Sequence, residues 1–148
     1  MNSCVWWKSY LHLNPVIKVN AHALSRRQVY AWTDAECESN GLGRVVHCQG
    51  KLWFTAVTTP LHILEQLLHR EDNQIGYLEM LAVVLLSSTF PDILSGSAAT
   101  IFVDNDGVLG SLIKWSCRAP EVNIAVGRWW LRAAHSIDLC FGHGTLIG

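Results

Sequence analysis

Alternating apolar and polar positions in short β-rich segments characterise the chain after its first residues. "VYAWTDAEC" (29–37) becomes polar at its end, and "GLGRVVHCQ" (41–49) and "KLWFTAVTT" (51–59) follow it, separated by the short Gly50-Lys51 junction. Segments rich in β-branched and aromatic residues with so few residues between them are typical of strands joined by hairpins. The pattern therefore predicts a meander of three strands.

Helical spacing replaces this alternation after Thr59. Thr59 can cap a helix and Pro60 can occupy its first turn, and leucines recur at positions 61, 64, 67 and 68. Beyond the break "REDNQIG", the segment from Tyr77 to about Phe90 is apolar on nearly all sides. This predicts a helix that is buried against a sheet and ended by Pro91.

Strands and helices alternate in the remainder of the chain. "ATIFVD" (99–104) predicts a buried strand, followed by a helix with one apolar face over 108–113. Pro120 opens another predicted helix, and "SIDLCF" (136–141) alternates like a strand. The order β-β-β-α-α-β-α-α-β predicts an α/β fold of mixed α+β character, in which a mixed sheet carries helices on its faces.

Length and composition predict a single domain with an arm. The chain has 148 residues, half of them hydrophobic, which is enough for one compact core. Residues 1–28 show no sustained period and are predicted to form an arm over the core, so that 29–148 form the domain.

Charge and cysteine content narrow the class of protein. With 11 Lys and Arg against 12 Asp and Glu, the chain has no global attraction for polyanions, so a nucleic-acid site would be a local patch. The five cysteines form no CxxC pair, which argues against a zinc ribbon or disulfide framework and favours an intracellular location, cytoplasmic or nuclear. The most apolar run, "LEMLAVVLL", is too short to span a membrane.

Three acids occupy unusual settings along this pattern. Asp34 lies at the end of the first predicted strand, Glu79 interrupts the most apolar helix, and Asp104 ends the fourth strand. If they converge, their repulsion makes Mg²⁺ or Mn²⁺ the natural partner, and two such ions can support phosphodiester cleavage. Structural explanations remain open for each acid: Asp34 could cap a turn, Glu79 could interact with the helix dipole in a first turn, and Asp106 could be an N-cap.

The ordered segments "YAWTDA", "GLGRVV", "IGYLEMLAVVLL" and "IFVDNDGVLGSLIK" resemble the ribonuclease H domain of retroelement polyproteins over roughly residues 29–143. The resemblance implies a five-stranded mixed sheet flanked by helices. It also implies that Asp34, Glu79 and Asp104 are catalytic metal ligands for hydrolysis of the RNA strand of an RNA/DNA hybrid. His143, just after the last predicted strand, matches a loop histidine of the family that assists product release or proton transfer.

Two departures from the family pattern weaken the implied activity. The family carries a fourth carboxylate about ten residues beyond the loop histidine, whereas this sequence ends at Gly148, and "DAECESNG" replaces the usual Gly/Ser-rich run. A copy that lacks the final helix, with weak or no activity, is therefore one expectation, and a catalytically dead binding or connecting module within a polyprotein is another. Hybrid binding would use the local cations Lys114, Arg118, Arg128 and Arg132, although these could equally form a solvated face.

A phosphatase is the third reading. "DNDGVL" also resembles the motif of haloacid-dehalogenase-type phosphatases, with Asp104 as nucleophile and Asp106 as acid/base. That family places the motif on its first strand and needs downstream acids and a lysine, which this chain does not supply in the expected pattern.

Overall fold

The computed structural model describes residues 26–67, 74–114, 116, 123–124, 126–127, 129 and 138–143. Its strands are β1 (Arg27–Glu36), β2 (Gly41–Cys48), β3 (Lys51–Thr58), β4 (Ser97–Val103) and β5 (Asp138–His143). Its helices are α1 (Leu61–Leu67), α2 (Gln74–Thr89), α3 (Pro91–Leu94) and α4 (Asp106–Lys114).

All strands belong to one mixed sheet in the order β3-β2-β1-β4-β5. β1 pairs antiparallel with β2 and parallel with β4. β5 pairs parallel with β4 and forms one edge of the sheet. The predicted mixed sheet with helices packed on it is therefore confirmed, and the described helices pack on one of its two faces.

The core lies between one face of the sheet and the helices. Val29 and Ala31 of β1 and Ile101 of β4 are fully buried in a cluster that includes Val83 of α2 and Leu112 of α4. The burial of β1 and β4 alternates with a period of two, as expected for strands with one face packed against helices. α2 is buried where it contacts β1 and β2.

Several boundaries differ from the sequence predictions. β1 begins at Arg27 rather than at 29, and α2 begins at Gln74 rather than at Tyr77, because the polar residues at these ends still make backbone pairs or helical turns. Pro91 does not merely end α2 but starts the short helix α3, since proline is well tolerated in a first helical turn.

Two further segments bear on the predictions. Residues 123, 124, 126, 127 and 129 are helical, which agrees with a helix after Pro120. The part of the predicted arm at residues 1–25 lies outside the described residues. Among the helices that are described, none is both long and apolar enough to cross a membrane.

Candidate metal centre

Parallel pairing of β1 and β4 brings Asp34 level with Asp104. The last paired residues are Trp32 and Phe102, so continuing the register by two positions reaches Asp34 on one side and Asp104 on the other. Asp34 lies within β1, whereas Asp104 directly follows Val103 at the end of β4. Both carboxylates therefore lie at the carboxyl end of a parallel strand pair, where α/β folds place their binding sites.

Helix α2 contributes Glu79 to the same place. Glu79 is only 4% exposed and is flanked by Leu78 and Met80, which are buried in the two core clusters. Because α2 begins at Gln74, Glu79 lies in its second turn rather than in the first. The helix-dipole explanation offered for Glu79 is therefore wrong, since that effect is confined to the terminal turn.

The three predicted acids do come together. Carboxylate oxygens of Asp34, Glu79 and Asp104 all lie within 4.8 Å of one another. Asp34 is exposed, Asp104 is half-buried and Glu79 is buried, so the cluster opens to solvent on the Asp34 side. The cluster thus has one buried wall and one accessible side.

The donor set fits a hard divalent cation. Glu79 Oε2 and Asp104 Oδ1 are buried and, when both carboxylates are ionised, have no hydrogen-bond donor. A buried carboxylate oxygen without a partner is costly, and a cation would compensate both oxygens at once. Carboxylate oxygens are the ligands that Mg²⁺ and Mn²⁺ prefer. Asp34, Glu79 and Asp104 are therefore the described residues that could hold such an ion.

Burial and the neighbouring carboxylates disfavour the ionised form of Glu79 when no cation is bound. Burial raises the pKa of Glu79 to about 8, with further contributions from the charges of Asp104 and Asp34 and from a hydrogen bond with Asp104. A backbone hydrogen bond from Ala35 opposes the shift. Glu79 therefore holds a proton at neutral pH unless a positive charge replaces it.

Local contacts explain how the two aspartate segments are held. The backbone N–H of Ala35 donates to Asp34 Oδ1 at 2.8 Å, inside β1 rather than in a turn. After β4, the backbone N–H of Val108 donates to Asn105 Oδ1 at 3.1 Å. Asn105 is thus the N-cap of α4, and Asp106, predicted as the cap, is instead its first helical residue. The signal for Asn105 was present in the sequence, because asparagine is among the best N-cap residues.

The other predicted site residues are His143, four basic residues and Asp106. The backbone of His143 pairs with Val103, next to Asp104, and His143 is the last residue of β5 rather than part of a following loop. Lys114 is exposed at the end of α4. Arg118, Arg128 and Arg132 lie outside the described residues. Asp106 is exposed and is not part of the acid cluster.

Comparison with known proteins establishes the class of fold. No protein-family model matches the sequence, and no curated protein matches it. Among solved structures, RNase H1 from the halophilic archaeon Halobacterium salinarum is similar over 79% of this chain and 85% of that one, with 15% identity and a TM-score of 0.52. LC11-RNase H1, isolated from compost by a metagenomic approach, is similar over 80% and 84%, with 13% identity and a TM-score of 0.50. The fold is therefore ribonuclease H-like.

Proposed function

We propose that the protein is a metal-dependent nuclease that hydrolyses the RNA strand of RNA/DNA hybrids. The observation that carries the proposal is the acid cluster, in which three carboxylates lie within 4.8 Å and two of their buried oxygens have no partner. The ribonuclease H-like fold supports the same activity, because the similar solved structures are RNase H1 proteins.

Asp34, Glu79 and Asp104 would hold Mg²⁺ or Mn²⁺, with room for two ions if further ligands complete the site. A metal ion bound there would act as a Lewis acid, lowering the pKa of water and stabilising charge on the leaving oxygen. Glu79 would lose its proton on binding the cation, and its burial would exclude water from that side of the cluster. Asp34, which is exposed, faces the side from which a substrate phosphate can approach.

The other roles proposed for this chain rest on position. His143 would assist proton transfer or product release, since its backbone lies one pairing position from Asp104. Lys114, together with Arg118, Arg128 and Arg132, would contact hybrid phosphates, because such contacts carry most of the affinity for nucleic acid. An origin in a retroelement polyprotein belongs to the same proposal.

A cleavage assay with an end-labelled RNA/DNA hybrid tests this function. The wild-type chain is incubated with Mg²⁺ or Mn²⁺ beside Asp34→Asn, Glu79→Gln and Asp104→Asn. We expect cleavage of the RNA strand to require the cation and to fall on the order of a hundredfold or more in each variant, since even indirect disturbance of a metal ligand costs 10–100-fold. Single-stranded RNA and duplex DNA, assayed in parallel, define the substrate class.

Asp92→Asn is the matched control, because Asp92 is an exposed acid of α3 outside the cluster. It should cleave like the wild type. Hybrid binding without cleavage at any cation concentration would replace the nuclease by a binding or connecting module. Release of phosphate from a small phosphomonoester, lost in Asp106→Asn, would replace it by the phosphatase.

A further inference from the structure

Two rows of side chains run straight across the sheet on a single face. The first row consists of Phe54, Val45, Trp32 and Phe102, which are paired in turn from β3 to β4. The second row consists of Leu52, His47, Tyr30 and Thr100. The rows are two residues apart on every strand, so both lie on the same face. These eight residues are called the outer rows.

The outer rows form a continuous aromatic and aliphatic surface. The rings of Trp32 and Phe102 stack with centroids 5.2 Å apart, and those of Tyr30 and His47 stack at 6.3 Å. On the edge strand β3, Phe54 is 81% exposed and Leu52 is 67% exposed. Tyr30 is 40% exposed, and the other five residues of the outer rows are half-buried. Single exposed apolar residues are ordinary, but a contiguous apolar surface of this kind marks a place where another element binds.

The helices described in the structure do not supply that cover. Their buried residues, such as Val83 of α2 and Leu112 of α4, cluster with Val29, Ala31 and Ile101, which lie on the opposite face of the sheet. Within the described ranges, no residue of the outer rows belongs to either core cluster. Within the part of the chain that the structure describes, the helices thus pack on one side of the sheet, and the outer rows lie on the other.

We propose that residues 1–25 of this chain dock on the outer rows. Their attachment point favours this, because residue 26 leads directly into β1, whose Tyr30 and Trp32 lie in the middle of the surface. Reach is not limiting, since 25 residues can extend to about 80 Å and the step from β1 to β3 is about 10 Å. Tethering also gives the segment a high effective concentration over any separate partner.

The composition of the segment matches the surface. "VWWKSYL" at residues 5–11 provides three aromatic residues among aliphatic ones, and residues 1–25 contain no aspartate or glutamate. No carboxylate would therefore be buried against the apolar rows, and Lys8 and Lys18 can keep their charged ends in water while their stems pack. Asp34 and Asp104 lie two residues beyond Trp32 and Phe102, but the argument for docking uses none of the three acids and no metal, so the inference stands apart from the nuclease proposal.

Hydrogen exchange and cross-linking on the full chain test the docking. Exchange in peptides covering 1–25 is compared between the wild type, Phe54→Asp and the control Leu61→Asp. Leu61 is 76% exposed but lies in α1, outside the outer rows. In a second measurement, the photoreactive residue p-benzoylphenylalanine replaces Phe54, and the cross-linked peptides are identified by mass spectrometry at several protein concentrations.

We expect residues 1–25 to be protected in the wild type and in Leu61→Asp. In Phe54→Asp their exchange should accelerate about tenfold or more, the factor expected when one buried aromatic contact is lost. Cross-links from position 54 should fall within 1–25 of the same chain at every concentration.

Exchange of residues 1–25 at the rate of an unfolded chain in the wild type overturns the proposal. Cross-links between chains whose yield rises with protein concentration also overturn it, because they indicate that a second copy binds the outer rows. Cross-links from position 54 to another part of the same chain overturn it as well. The cross-linking result decides even if Phe54→Asp fails to fold.

Discussion

Cation binding at the acid cluster is expected to release a proton from Glu79 near neutral pH. The pKa of this carboxyl is raised to about 8, chiefly by burial and then by Asp104 and Asp34. At pH 7 about nine in ten molecules therefore carry the proton, and at pH 9 about one in ten. A bound Mg²⁺ requires the ionised carboxylate, so binding should release about 0.9 proton at pH 7 and about 0.1 at pH 9.

The same linkage fixes the pH dependence of affinity. Below pH 8, the apparent affinity for Mg²⁺ should rise about tenfold for each unit of increasing pH, and above pH 8 it should become flat. Isothermal titration calorimetry in two buffers with different ionisation enthalpies, at pH 7 and at pH 9, measures the number of protons released directly.

Glu79→Gln and Glu65→Gln complete the experiment. Glu79→Gln should bind Mg²⁺ more weakly and release no proton, because the titrating group is gone. Glu65 is an exposed acid of α1 outside the cluster, so its replacement should leave both quantities unchanged. Proton release that is absent from the wild type at pH 7, or that persists in Glu79→Gln, would refute the reasoning from burial and charge crowding.

Three further predictions concern stability. Without metal, the free energy of unfolding should fall as pH rises from about 4.5 to about 8, because the folded state keeps the Glu79 proton that the unfolded state loses. We expect a loss of about 2 kcal/mol, well below the value of the full pKa shift, because the cluster opens to solvent on its Asp34 side. Glu79→Gln should flatten this part of a urea-denaturation profile. Asn105→Ala should cost about 1 kcal/mol in the same measurement by removing the cap of α4, whereas Asn105→Asp should keep most of it. Arg44 is 2% exposed, its burial lowers its pKa, and its Nε and Nη2 have no hydrogen-bond partner. Arg44→Met should therefore stabilise the fold by about 1 kcal/mol or leave its stability unchanged. A large loss of stability would show that the hydrogen bonds of the guanidinium are satisfied in the folded protein.

The sequence was informative wherever the local pattern and the site coincided. Alternation located β1 to β4 to within two residues, because each strand buries one face, and Pro91 marked the end of α2. The convergence of Asp34, Glu79 and Asp104 was predicted from strand ends and from the cost of a glutamate in an apolar helix, and the geometry bears it out.

Other features depend on information that no local pattern contains. The pattern places the start of α2 at Tyr77 because Gln74 and Gly76 interrupt the apolar run, and a helix starting there would put Glu79 in its first turn, which is the source of the wrong dipole explanation. The sequence pattern predicts Asp106 as the cap of α4, whereas the structure has Asn105 in that position; the two residues have similar capping propensities, and only backbone geometry separates them. The outer rows cannot be derived from local patterns, since cross-strand neighbours depend on the register of four strands.

The acid cluster can form only when β1 and β4 are paired in the correct parallel register. Asp34 and Asp104 come from positions 70 residues apart in the chain and become level only through the pairing that ends at Trp32 and Phe102. A slip of one residue would turn one of the two aspartates toward the opposite face of the sheet, and a chain that had not completed this pairing would have no site at all. A ligand that binds the three carboxylates would therefore recognise only correctly assembled molecules and would shift the folding equilibrium toward them, by about 2.7 kcal/mol at a hundred times its dissociation constant.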